Sequence, residues 1–420
     1  MALYSVVRHA PGIMAMRFLI LTQYYPPEVG AAQLRLAAMG RELVRLGHAV
    51  DVVTGMPNYP DGRIQHRYRG RLGITEHRDG ITVRRTWLLA ASGRGMARMA
   101  NYATFAATSL AGLAASPRPD VVFVESPPPS LAVPGWLMAR RWGARLVLNI
   151  SDLWPDSAVQ LGLSDKGALL EGARRLEAWA YAHADLVTAA TEGIRDALVE
   201  VKHVPRDRVL FLPNGVDTDL FAPRDRDEAL ASELGLNGRR VVLIAGTLGY
   251  ALGIDVALSA ARLLAARPVR LVIAGGGSDR NRLEGLAREQ SLDNVQFLGP
   301  VPPEQVARLY SLADIGLLTL RDSPLFDGTR PARILAAMAS AVPVVYSGRG
   351  EGARLVEQAD AGIVVPPEDP QALADAIGQL LDDRDTARRL GANGRRCVQE
   401  ELGWPRIVES WLDQLQETAA

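Results

Sequence analysis

"LIAGTLGYALGIDVALSAARLL", Leu243–Leu264, runs a short apolar strand into a glycine-bearing loop and then into an amphipathic helix. That succession is the opening unit of a parallel α/β sheet, in which strand carboxyl ends and helix amino-termini meet. An earlier stretch, Tyr24–Val50 "YYPPEVGAAQLRLAAMGRELVRLGHAV", has the same design, with a Pro- and Gly-bearing loop after "FLILT" (18–22) and before a long amphipathic helix. Two such openings in 420 residues point to two α/β domains of similar size.

The pattern continues outward from each opening. In the first half, "AVDVVT" (49–54), "ITVRRTW" (81–87), "VVFVE" (121–125), "RLVLNI" (145–150) and "LVTAAT" (186–191) read as strands. In the second half they are "VVLIAG" (241–246), "VRLVIAG" (269–275), "VQFLG" (295–299), "IGLLTL" (315–320), "PVVYS" (343–347) and "GIVV" (362–365). Segments of helical spacing lie between most of them, which is the rhythm of doubly wound sheets. The expected division is an N-terminal extension (1–15), a Rossmann-like domain (16–205), a turn- and charge-rich linker region (206–240), a second Rossmann-like domain (241–400) and a C-terminal helix (401–420).

Composition narrows the functional classes. Hydrophobic residues make up 48 % and charged residues 22 %, ordinary for a globular protein, and 47 basic side chains balance 47 acidic ones. No net field favours nucleic acid as a partner. Cys397 is the only cysteine, which fits a reducing cytoplasm. The first 15 residues lack an apolar run of signal-peptide length, and "YATFAATSLAGLAA" (102–115) is shorter than the roughly 18–20 residues that span a bilayer. The expectation is a cytoplasmic protein, with peripheral contact at the inner membrane face as an option.

Candidate chemistry falls at predicted strand ends. Gly30 precedes a helix amino-terminus, whose free N–H groups and dipole suit an anion. "TGMPNYPDGRIQHRYRGR" (54–71), with Asn58 and Tyr59, mixes aromatic and guanidinium groups suited to sugar faces and phosphate oxygens; a solvated basic loop is the other reading. "NISDLWPDSAVQLG" (149–162) sets Asp152 and Trp154 beyond a strand, where a carboxylate can orient a hydroxyl or move a proton; Asp156 alternatively caps a helix. Gly246 and Thr247 form a possible diphosphate cradle, and "IAGGGSDRNRLEGLA" (273–287) adds a second glycine run around Gly276. In "FDGTRPARILAAMASAVPVV" (326–345), Pro331 suits a first helical position, with Arg330 and Arg333 beside it for phosphate. The 6 His residues are scattered and no metal-ligand spacing appears, nor does a Gly-x-Ser-x-Gly elbow.

These stretches, with "LPNGVDTDLF" (212–221), "VIAGGGSDRNRLEGLAREQSLDNVQFLGPVPPEQVARLYSLADIGLLTL" (272–320) and "PVVYSGRGEGARLVEQADAGIVVPPEDPQALADAI" (343–377), resemble family 4 glycosyltransferases of the GT-B fold from about Met16 to Trp411. The bacterial exopolysaccharide branch, which acts in colanic-acid-type and fucosamine transfer, is the most similar. The resemblance implies two doubly wound Rossmann-like domains facing across a cleft, and a retaining, metal-independent hexosyltransferase. Its co-substrate would be a UDP- or GDP-linked sugar, with no other cofactor. The acceptor would be a lipid-linked saccharide, as in polysaccharide biosynthesis, or a small natural product, including a thiol.

Carried over by position, Gly30, Gly246, Thr247, Gly276, Leu298, Arg330, Arg333 and Glu351 would face the donor. Tyr25, Asn58, Tyr59 and Trp154 would face the acceptor, and Asp152 and Glu125 would serve the chemistry. The family's Arg and Lys after the first strand of the second domain are Thr247 and Leu252 here, and the Glu pair of its Glu-x7-Glu signature falls on Gly328 and Ala336. The small Gly before the last strand of that stretch is Ala341, and "VESPPPSL" replaces a family His with Glu125 or Ser126. The missing ribose carboxylate at Ala336 keeps a second class open, a noncatalytic homologue acting as a binding or partner subunit.

Overall fold

The computed structural model describes residues 15–28, 30–59, 61–91, 96–156, 167–328 and 330–418. Residues 1–14 of the expected extension, residues 157–162 of the Asp152 motif, and Val29, Pro60 and Thr329 within other quoted stretches lie outside them. The chain forms two compact units, Met1–Pro213 with Ile407–Ala420, and Asn214–Arg406.

The first unit is built on eight strands: β1 (Arg17–Leu21), β2 (Ala49–Gly55), β3 (Gly73–Arg78), β4 (Ile81–Thr86), β5 (Val121–Ser126), β6 (Arg145–Ile150), β7 (Leu186–Ala189) and β8 (Val209–Phe211). Their order is β3-β4-β2-β1-β5-β6-β7-β8, parallel throughout except that β3 runs against β4. Near-continuous apolar runs such as Phe18–Leu21 and Val121–Val124 are fully buried, as parallel strands covered on both faces require. Strand order reverses between β1 and β5, so loops leaving their carboxyl ends diverge there and leave a crevice. Helix α1 (Ala31–Arg45) follows β1, with Leu36, Met39 and Leu43 turned into the core.

The second unit has six parallel strands, β9 (Arg240–Ala245), β10 (Val269–Ala274), β11 (Val295–Gly299), β12 (Ile315–Thr319), β13 (Val344–Ser347) and β14 (Gly362–Val365), in the order β11-β10-β9-β12-β13-β14. Its switch point lies between β9 and β12. Both units are Rossmann-like, as the strand reading predicts.

Two segments differ from expectation. Residues 73–78, next to the basic loop, form edge strand β3, joined to β4 by Asp79 (φ 53°) and Gly80 (φ 77°). That Asp-Gly pair is a hairpin signal, hidden because the flanking "ITEHR" is polar and mostly exposed. The supposed linker 206–240 is structured: β8 pairs with β7, and the helix Glu228–Glu233, capped by Asp227, sends Leu230 and Ala231 into the second core. Its charges mark solvated faces of ordered elements, so composition alone misleads.

The helix Trp404–Glu417 crosses from the second unit's residues into the first's. Trp411 is fully buried, 5.7 Å from the Phe123 ring and 6.0 Å from Phe18. Arg145 donates to the carbonyls of Leu415 and Thr418, both at 2.7 Å, satisfying the helix end. Gln414 exchanges two hydrogen bonds with the Phe211 backbone on β8.

Two stability outcomes follow from local strain and burial. Ala341, past the end of the helix Ala332–Ala339, has φ 55°, and Val342 N–H donates to Ala337 O in a glycine-type helix stop. An L-residue in that conformation costs roughly 1–2 kcal/mol, partly offset by glycine's entropy. Ala341→Gly is therefore expected to stabilise the chain by up to about 1 kcal/mol in urea unfolding. His48 is held below its ordinary pKa by burial, and its Nδ1 accepts the Met16 amide at 3.1 Å. Since the unfolded chain takes up this proton first, the contribution is intact above about pH 6.5 and lost as pH falls. His48→Asn should flatten the decline in stability between about pH 7 and 5.5 relative to the parent.

Candidate functional site

In the second unit, three glycine loops leave β9, β10 and β11 and lock together through backbone alone. Gly246 N–H donates to Ala274 O at 2.8 Å, Leu248 N–H to Gly276 O at 2.8 Å, and Gly275 N–H to Gly299 O at 2.7 Å. A Cβ on Gly275 would stand 1.9 Å from Gly246 O, and one on Gly277 would stand 2.2 Å from Leu248 O. With φ of 156° and 154°, neither position admits a side chain. The result is a ledge at the strand ends where Gly246 and Thr247 remain exposed and Gly276 is half-buried. Leu298 lies half-buried on β11, at the irregularity in its pairing with β10.

Arg333 faces this ledge. Its Nη2 donates to Thr247 O at 2.8 Å, and its guanidinium lies 3.3–3.6 Å from where a Gly246 Cβ would be. Its Nη1 is shielded from solvent and has no hydrogen-bond partner, and no carboxylate pairs with it among the described residues. Burial lowers its pKa to about 10, so it stays cationic at neutral pH. It belongs to the first turn of the helix Ala332–Ala339, which carries no acidic residue there. The ledge, an uncompensated guanidinium and a helix amino-terminus form a place for an anion.

Arg330 is different. It is ion-paired at 2.8 Å with Glu351, and both side chains are almost fully buried. Glu351 N–H also donates to Asp327 O at 2.6 Å, while Gly350 (φ 77°) lets that loop close on the helix Gly350–Gln358. The expectation that Arg330 and Glu351 act separately on a donor is corrected: their charges are spent on one another, and the pair braces the loop before Arg333. Leu252, where the resemblance expects a Lys, is core, and Ala336 is buried.

In the first unit the expectations divide. Glu125 is buried, paired with Arg35, and accepts from Asn149 Nδ2 at 2.7 Å. An enclosed, ion-paired carboxylate is no ready base, so its assignment to chemistry is corrected to a brace between α1, β5 and β6. Tyr25 is 1 % exposed, its hydroxyl pushed up to about 12 by burial, and is part of the core rather than an acceptor surface. Asn58 is also buried, with Nδ2 donating to Met56 O at 2.9 Å. Gly30 has φ −175°, an extended conformation open to any residue, so no backbone requirement explains it. Tyr59 and Asp152 are exposed and Trp154 is half-buried, the latter two just past β6, where Ser151 N–H donates to Ser126 O at 3.0 Å. Asp156 pairs with Lys202 at 2.6 Å and Arg174 at 3.2 Å; burial raises its pKa, but these cations outweigh it and hold the carboxyl below its ordinary value.

The sequence reading passes over the residues that organise this end of the unit. Glu28, 2 % exposed, accepts the amides of Asn58 and Tyr59, both at 2.8 Å, and of Tyr25 at 3.3 Å, tying the loop after β1 to the loop after β2. Arg85, 1 % exposed, donates to Pro26 O and to Gly55 O (3.4 Å) and pairs with Glu76 at 2.7 Å. "PPE" after a strand and a charged residue inside "ITVRRTW" were the available signals. Among the described residues, no three His, Cys, Asp or Glu side chains gather as a metal-ligand set, and no helix is long and apolar enough to cross a membrane.

Known proteins match both units of this architecture. The family of "Glycosyl transferases group 1" matches residues 225–397, and the "Glycosyl transferase 4-like domain" matches residues 30–215. WcaI of Escherichia coli (strain K12), described as a colanic acid biosynthesis glycosyl transferase, is 27 % identical over 379 residues, 87 % of this chain and 92 % of that protein. A D-inositol 3-phosphate glycosyltransferase of Xylanimonas cellulosilytica is 31 % identical over 293 residues, covering 66 % and 68 %. Among solved structures, sucrose-phosphate synthase from Thermosynechococcus elongatus superposes with a TM-score of 0.73 at 22 % identity, covering 96 % of this chain and 99 % of that one. Anabaena Alr3699/HepE in complex with UDP-glucose gives 0.70 at 20 %, covering 96 % and 100 %. With both units matched in order and a relative followed over nearly its full length, the chain belongs to family 4 of the glycosyltransferases, enzymes of the GT-B fold.

Proposed function

We propose that this enzyme transfers a sugar, with retention and without a metal, from a nucleoside-diphosphate donor held by the second unit to an acceptor held by the first. The observation that carries the donor assignment is Arg333: a half-buried guanidinium whose Nη1 is shielded and unpartnered, with no carboxylate paired to it among the described residues and a glycine ledge beside it. A buried cation without a counterion is unfavourable by itself, and a diphosphate supplies the missing charge. The charge that develops on the leaving diphosphate is met by Arg333 and the helix amino-terminus, preorganised before reaction. The same leaving phosphate can guide the acceptor on one face of the sugar, so the protein's task is positioning.

Anabaena HepE, structurally similar, is solved with UDP, with UDP and glucose, and with UDP-glucose, which supports a nucleotide-linked sugar as the donor class here. WcaI supports an exopolysaccharide acceptor, and the inositol phosphate transferases support a small soluble one. Cytoplasmic action, with peripheral contact at the inner membrane face, fits either.

Arg333→Gln is expected to weaken UDP or GDP binding, read by titration calorimetry, roughly 10- to 150-fold, the equivalent of a ~1.5–3 kcal/mol charged hydrogen bond. The same change removes a partly desolvated charge that has no paired carboxylate among the described residues, so the ligand-free melting temperature should hold or rise. Undiminished nucleotide binding would remove Arg333 from the donor site. Nuclear magnetic resonance of the first-formed product should show the donor's anomeric configuration; an inverted product would exclude retention.

A further inference from the structure

The donor assignment leaves a second cation without a counterion, in the first unit. Arg98 lies half-buried in the first turn of α2 (Met96–Ala114). Its Nε donates to the Tyr102 hydroxyl at 2.7 Å, and its guanidinium carbon is 5.3 Å from that ring's centroid. Tyr24 and Tyr59, with ring centroids 5.5 Å apart, are within electrostatic range of the same guanidinium. Among the described residues no carboxylate pairs with Arg98 and neither Nη finds an acceptor.

The surroundings are built rather than incidental. Gln23, 1 % exposed, donates from Nε2 to Asn101 Oδ1 at 2.9 Å, and its Oε1 is buried without a partner. Asn101, one helical turn from Arg98, donates to Leu89 O at 2.8 Å. The loops bearing Tyr24 and Tyr59 are fastened by Glu28 and Arg85. A solvated surface arginine needs none of this.

We propose that Arg98, in contact with Tyr102 and within electrostatic range of the Tyr24–Tyr59 ring pair, binds a phosphoryl group on the acceptor. This rests on the reading of the first unit as the acceptor side. The planar fork of an arginine matches phosphate oxygens two at a time, and the ring faces suit a sugar beside it. The hydroxyls of Tyr24 and Tyr59 have no hydrogen-bond partner among the described residues, so together with the two Nη groups they offer more donors than a carboxylate's two oxygens need. Two sources share this chemistry: a soluble sugar phosphate and the phosphate of a polyprenyl-linked saccharide.

The test is calorimetric titration of the full chain, parent and variants, with glucose, glucose 6-phosphate, a short polyprenyl phosphate in micelles, and UDP. The expected result is that at least one of the two phosphates binds at least tenfold more tightly than glucose. Arg98→Gln should abolish that advantage, Arg333→Gln should leave it, and UDP binding should be unchanged in Arg98→Gln. Dependence on Arg98 for glucose 6-phosphate identifies the soluble source; dependence for the polyprenyl phosphate alone identifies the lipid source. If neither phosphate depends on Arg98, or if the advantage disappears with Arg333→Gln instead, the proposal is overturned. The donor reading stands or falls separately on UDP binding by the Arg333 variant.

Discussion

The second unit depends on main chain lying directly against main chain at the ends of β9, β10 and β11. The carbonyl of Gly246 occupies the space where any side chain at Gly275 would begin, and that of Leu248 does the same at Gly277. Three inter-loop amide hydrogen bonds of 2.7–2.8 Å hold the contact. This closeness leaves Gly246 and Thr247 exposed at the strand ends, and Arg333 fastens to them through Thr247 O. A single Cβ at Gly275 would separate the loops and displace the cation they anchor.

Charge pairing then sorts residues that look alike in sequence. Arg330 and Arg333 both flank one helix amino-terminus, yet the first is neutralised by Glu351 and the second has no acid within reach among the described residues. Likewise Glu125, next to last in β5, and Asp152, just past β6, both sit near strand carboxyl ends, but Glu125 is enclosed by Arg35 and Asn149 while Asp152 is exposed. A buried ion pair mainly braces its surroundings, since each partner cancels the other's field. A partly shielded cation without a paired carboxylate keeps its field for a ligand. The family's carboxylate at Ala336 is absent, and Glu351, although close in sequence, is committed to Arg330.

The first unit shows how much of a site rests on residues that touch no ligand. Glu28 gathers three amides from two loops, and Arg85 gathers the carbonyls of Pro26 and Gly55. Neither is apparent from a linear reading, because their partners are backbone atoms up to 59 positions away. Tyr25 and Tyr24 are neighbours in "YYPPE", yet Tyr25 is core and Tyr24 pairs with the Tyr59 ring within electrostatic range of Arg98. Alternation along an extended segment sends adjacent side chains to opposite faces, and only packing tells which face is which.

The longer motif stretches carried the family resemblance, while periodicity and glycine placement in the sequence were sufficient for two Rossmann-like domains and for the strands to within a residue or two at most ends. These follow from local rules: apolar runs of strand length, helical spacing, and loops with glycine at strand ends. The hairpin strand β3, the order within 206–240 and the commitments of Glu125, Tyr25, Arg330 and Glu351 were decided only in three dimensions. Each depends on which distant group lies within about 3 Å, the range over which a hydrogen bond or ion pair is made or lost. Residue type sets what a side chain can do; its tertiary neighbours determine whether that capacity is already used.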